Sequence, residues 1–167
     1  TFPTYLNTSL AEALRFVGTL QDDGGVGQPA GGTWAYHFRA GDFAWFWHNS
    51  TGVMKAGNAE SEAVANALSN LPECVDVQLN AIVGFGLVTS AYRDALAYVA
   101  LTKPKIALPN HHDAWTPGIG GGASAYENSW LEAVSRLPNP PQVDYLRDPV
   151  DYMKPRSYNI TDPRWAG

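Results

Sequence analysis

Cysteine is almost missing from this chain. Cys74 stands alone among 167 residues, so no internal disulfide can form, and disulfide scaffolds and cysteine-rich zinc modules are excluded. Charge is scarce too: charged residues make up 16% of the chain, against roughly a quarter in an average soluble domain. The 11 basic residues are outnumbered by 16 acidic ones, for a net charge of -5, which offers no electrostatic footprint for nucleic acid or an anionic membrane. No run of about 18 apolar residues occurs, so no membrane span is expected. The first residues lack the basic-then-apolar layout of a signal peptide. The sequence contains no G-x-S-x-G, no G-x-x-x-x-G-K-[ST] and no H-E-x-x-H motif.

What is present is apolar, aromatic and rich in turns. Hydrophobic residues make up 45%, with 16 Gly, 12 Pro, 6 Trp and 8 Tyr, in a length that corresponds to about one soluble domain. Cys74 lies in the apolar stretch 71–77 and reads as a small buried hydrophobe. Three N-x-[ST] triplets begin at Asn7, Asn49 and Asn159 and matter only on a glycosylating route.

Three regions follow in order, within a single unit. Residues 1–32 hold a short amphipathic helix over 8–20, with Leu10, Leu14 and Val17 on one side, and then a glycine-rich loop. Residues 33–113 open with an aromatic hairpin whose strands, 34–38 and 43–47, flank Arg39-Ala40-Gly41-Asp42. A helix over 60–71 comes next, with Val64, Ala67, Leu68 and Leu71 at helical spacing before Pro72. An apolar strand over 75–83 is interrupted only by Asp76, Gln78 and Asn80, and a helix over 92–101 and a short buried strand over 105–108 complete the region. Residues 114–167 give a glycine-rich loop, a helix over 124–137 and a proline-rich tail expected to pack across the domain surface. Hairpin, helix, strand, helix, strand is an α/β order, in which polar groups just past the carboxyl ends of strands are the usual place for chemistry.

His111, His112 and Asp113 stand at such a place, directly after the second buried strand. Imidazole and carboxylate together suit Zn, Fe, Ni or Mn, which make a bound water nucleophilic near neutral pH. The other reading of the same residues is an exposed turn that happens to be histidine-rich. Adjacent residues rarely ligate one metal together, so one of His111 and His112 is expected on the metal and the other beside it. His48, at the end of the second hairpin strand, is either a further ligand or an amphipathic ring packed among Trp45, Phe46 and Trp47. His37, within a strand, reads as a packed or surface ring.

The segment Ala91-Tyr92-Arg93-Asp94-Ala95-Leu96-Ala97-Tyr98-Val99-Ala100-Leu101-Thr102-Lys103-Pro104-Lys105-Ile106-Ala107-Leu108-Pro109-Asn110-His111-His112-Asp113 resembles the helix, strand and histidine segment near the C-terminus of metallo-β-lactamase-fold hydrolases, in particular the lactonase-like branch. The hairpin over 36–52 and the strand over 75–83 with Gly84-Phe85-Gly86 are similar to the elements that precede it there. The resemblance covers residues 33–113. It implies the C-terminal half of an αββα sandwich, with His111 as a metal ligand, His48 or Asn49 at the ligand position after the second strand, and His112 and Asp113 as catalytic neighbours in the pocket. The family's His-x-His-x-Asp-His motif is absent, and Asn49 stands where its bridging aspartate would fall. The resemblance therefore implies a second polypeptide, or a separated part of a precursor, carrying the N-terminal half and most ligands. The expected cofactor is zinc or another divalent transition metal, and the expected reaction is hydrolysis of an ester, lactone, amide or phosphodiester by metal-activated water. The alternative is a non-catalytic α/β binding subunit that keeps the fold. Localisation is not encoded beyond the expectation of a soluble chain.

Overall fold

In the computed structural model, residues 35–48, 54–71, 74–83, 91–112, 124–147, 151 and 153–165 are described. The amphipathic segment 8–20, the loop 21–32 and the glycine-rich stretches 84–86 and 118–122 lie outside them. The elements are β1 (Ala35–Ala40), β2 (Phe43–His48), α1 (Ala59–Ser69), β3 (Val77–Ala81), α2 (Arg93–Thr102), β4 (Ile106–Asn110), α3 (Ser124–Ser135) and β5 (Gln142–Val143), followed by a 3-10 turn at Pro163–Trp165.

The α/β expectation holds among these residues. One five-stranded sheet runs in the order β1-β2-β3-β4-β5, antiparallel in the first pair and parallel in the others. The hairpin closes on a two-residue loop with positive φ at Gly41 (63°) alone, the pattern of a II′ turn, which calls for glycine at its first position. Strand β1 therefore runs on to Ala40, two residues further than the sequence spacing indicates. Asn58 caps α1 by accepting from the backbone N–H of Ser61 at 2.8 Å. The helix ends at Ser69, ahead of Pro72, where Asn70 leaves helical geometry (φ -108°, ψ 24°) and its side-chain Nδ2 donates back to Asn66 O at 2.7 Å. Helix α2 stops at Lys103, whose left-handed backbone (φ 50°) lets its N–H reach Val99 O.

Each parallel step is bridged by a helix, and the strands step in one direction, so right-handed crossovers place all three helices on one side. The packing agrees. Phe46 and Val75 meet Leu68 of α1 and Tyr98 of α2, while Ile82 and Val83 join Val99 of α2 with Trp130 and Val134 of α3. On α1 the inward side is Ser61 and Leu68, whereas Val64 is exposed, contrary to the expected stripe. Cys74 is also exposed: Val75 turns inward in an extended segment, and its neighbour must then turn out.

The opposite sheet face carries Phe43, Val77, Ile106 and Leu108, covered by Tyr158 and Trp165 of the tail. The tail thus packs across the sheet, held to it by Lys105 Nζ donating to Arg164 O at 2.8 Å, while Trp165 Nε1 donating to Asn159 O at 2.7 Å folds the tail on itself. It also supplies β5, an edge strand that the sequence reading leaves as irregular chain. Toward the hairpin this face is a cross-strand ladder in which Tyr36 stacks on Trp47 and Phe38 on Trp45, leaving Tyr36 and Phe38 about two-fifths exposed.

Candidate functional site

Because β2, β3 and β4 are parallel, their carboxyl ends lie along one edge of the sheet. There the register sets His48 beside Asn80, Asn80 beside Pro109, and Ala81 beside Asn110. His111 and His112 follow β4 directly. Side chains alternate across a strand, so His48 and Asn80 share the helix-facing side with Gln78, and Asn110 falls on the other side with Ala81. Asn49 and Asp113, the two remaining candidates, lie outside the described residues.

The three histidines differ sharply in setting. His111 has an exposed side chain on a left-handed backbone (φ 54°), a conformation that costs an L-residue about 1 kcal/mol. Its Nδ1 lies 2.5 Å from Val83 O. A carbonyl oxygen only accepts, so Nδ1 carries the proton and the neutral ring keeps its lone pair on Nε2. That is how metal-binding histidines are commonly held, with the second nitrogen donating to a backbone carbonyl. His48 is completely buried and stacks on Tyr98 at 4.5 Å, with Nε2 3.3 Å from Gln78 Nε2. The ring thus packs against Tyr98 and Phe46 rather than against the hairpin tryptophans. His112 is 2% exposed and stacks on Tyr145 at 4.8 Å.

The edge thus gathers His48, His111 and His112, but it does not draw them into one cluster. Among the described residues no three His, Cys, Asp or Glu side chains group closely enough to hold a metal ion. Donor chemistry at His111 fits a borderline divalent metal, and the described residues supply only part of a ligand set.

The chain matches no protein-family model, no curated protein and no solved structure. Among the described residues no helix is long and apolar enough to cross a membrane.

The edge holds residues that site reading from sequence overlooked. Asn80 is completely buried, and neither its Oδ1 nor its Nδ2 has a hydrogen-bond partner among the described residues. Asn110 Oδ1 is in the same state. A buried amide without a partner costs about 1–3 kcal/mol, so such a group needs a reason. Gln78 is also completely buried and meets Thr102 of α2. The signal was in the sequence: Asp76, Gln78 and Asn80 interrupt an apolar strand at period two, which places three polar side chains on one face.

Proposed function

We propose that the chain is the C-terminal part of a metal-dependent hydrolase, with the carboxyl edge of its sheet as the ligand edge. The observation that carries this reading is His111, held by Val83 O with Nε2 free for a ligand at a strand terminus where α/β sheets bind ligands. The resemblance of residues 91–113 to metallo-β-lactamase-fold hydrolases supports it. Zinc is the first candidate, with Fe, Mn or Ni as alternatives; when bound, such an ion makes water nucleophilic near neutral pH.

In this reading His111 is the chain's metal ligand, with His48 or Asn49 at the second position. Asn80 has both a donor and an acceptor to offer and orients the polar group of an ester, lactone, amide or phosphodiester. His112, fixed against Tyr145, is a catalytic neighbour in this reading, and Asp113, next to it in sequence, is assigned the same role. The remaining ligands come from a second polypeptide carrying the N-terminal half of an αββα sandwich. Its sheet would cover the aromatic side of β1 and β2, since packed sheets bury faces about 10 Å apart.

His111→Ala tests this reading. Zinc retained per folded complex of the chain with its second polypeptide, measured by elemental analysis after gel filtration, falls to background, and zinc retained at the wild-type level contradicts it. The second reading, a non-catalytic binding subunit, is favoured by the incomplete ligand set among the described residues. Under that reading His111→Ala leaves partner binding intact and the wild type holds no metal.

A further inference from the structure

Asn80 is the last polar side chain of β3 before its carboxyl end, and it is completely buried on the helix-facing side of the sheet. Its register neighbours are His48, the last residue of β2, and Pro109 of β4. Neither Oδ1 nor Nδ2 has a hydrogen-bond partner among the described residues. The carboxamide two residues back on the same face gives the contrast. Gln78, equally buried, meets His48 Nε2 at 3.3 Å with one end and Thr102 Oγ1 with the other.

A carboxamide carries donors on its nitrogen and an acceptor on its oxygen, side by side in one plane. Hydrogen bonding decides which atom is which, and at Asn80 the assignment changes nothing: either way round, a donor and an acceptor are both unmet. A ligand satisfies the two atoms together when its own N–H and C=O lie on one edge. An ester, lactone or phosphodiester offers oxygens alone, which meet Nδ2 and leave Oδ1 without a proton. The amide of an open chain is trans and turns its N–H and C=O to opposite sides. A primary carboxamide has an N–H on the same side as its oxygen, and its small size suits a side chain with no exposed surface.

We propose that Asn80 is a binding residue for a primary carboxamide, which it engages through two hydrogen bonds, one given and one received. Discrimination by such a residue is steep, because a ligand without the N–H leaves a buried acceptor unpaired. Recognition of the carboxamide needs Asn80 alone. That the carboxamide belongs to the substrate of a hydrolase rests on the reading above.

The test is a nitrogen–proton correlation spectrum of the full 15N-labelled chain, in which the Asn80 side-chain amide is observed directly. Asn80→Leu identifies its signals by their loss. If that variant does not fold, Asn80→Asp, which keeps the shape, identifies them and the wild-type comparison decides alone. The probes are propionamide and butanone, the same skeleton with a methyl in place of the amino group. Propionamide is expected to shift the Asn80 signals saturably and to bind at least about tenfold more tightly than butanone, the effect of one buried acceptor left unpaired. In Asn80→Leu the two probes bind alike. Equal affinities in the wild type, Asn80 signals that propionamide does not move, or a preference unchanged in Asn80→Leu each overturn the proposal. Zinc retained by the complex of the chain with its second polypeptide is measured separately. Zinc without selectivity for propionamide removes the carboxamide site and leaves the hydrolase reading, and selectivity without zinc does the reverse.

Discussion

The two edges of the parallel sheet are built from the same strands and treat polar groups in opposite ways. At the amino edge Asp76 is 1% exposed: its Oδ2 accepts from Ala44 N–H at 2.8 Å, and its Oδ1, outside hydrogen-bond geometry, is held by the ion pair with Lys105 Nζ at 2.9 Å. Its own backbone ties β2 to β4, through Asp76 N–H to Ala44 O and Ile106 N–H to Asp76 O. At the carboxyl edge Asn80 and Asn110 hold amide atoms with no partner among the described residues, and His111 presents a ring nitrogen from a strained backbone. The first edge is closed chemistry that fastens three strands. The second keeps donors and acceptors in reserve at a cost to stability, as binding sites commonly do.

Breaking the closed edge produces the largest effect on stability. Lys105→Ala strands a buried carboxylate and removes the tail anchor to Arg164 O, and it is expected to cost about 3 kcal/mol in urea unfolding. Zinc affinity per folded molecule stays at the wild-type value. His111→Gly reverses that balance: relief of about 1 kcal/mol of left-handed strain offsets the lost bond to Val83 O. Stability then moves little, while zinc affinity in a competition assay drops at least tenfold. Asn80→Leu fills similar space without the two unmet amide atoms and is expected to raise stability by roughly 1 kcal/mol while weakening ligand binding. A loss of 2 kcal/mol or more would instead make Asn80 as firmly engaged as Asp76.

The smallest effect comes from pH. Tyr92 caps the start of α2, and burial raises its pKa, partly countered by the hydrogen bond to Ser129 Oγ. A raised tyrosine pKa means that the folded chain holds the phenolic proton more tightly than the unfolded one. Stability is therefore unchanged below the ordinary tyrosine value of about 10 and declines as pH rises through the higher folded value. Tyr92→Phe flattens that alkaline slope in thermal melts recorded at several pH values. Tyr158, raised by burial in the same direction, keeps part of the slope in the variant.

Much of the sheet was legible in the sequence because its signals are local. Gly41-Asp42 between two aromatic strands dictates a hairpin, and Leu68, with the polar break at Asn70 before Pro72, bounds α1. The errors arose where tertiary context decides. Cys74 lies in an apolar stretch and is exposed because its neighbour Val75 takes the inward position. Val64 keeps helical spacing with Leu68, yet α1 meets the sheet along Ser61 instead, whose hydroxyl accepts from Lys55 N–H. At the candidate site the position of His111 after a strand was readable, but the partner that fixes its tautomer, Val83 O, is 28 residues away and invisible to spacing. Gln78 and Asn80 were visible as polar breaks in an apolar strand, and their meaning depended on knowing that this face meets helices.

The claim that ligand chemistry resides at the carboxyl edge is tested most directly by measuring zinc affinity side by side for the complexes that the wild-type chain, His111→Ala and Lys105→Ala form with the second polypeptide, each corrected for its folded fraction. The account predicts that His111→Ala weakens binding at least tenfold and that Lys105→Ala, though far less stable, binds as the wild type does. Equal affinity in all three, or no zinc binding by the wild type, would contradict it.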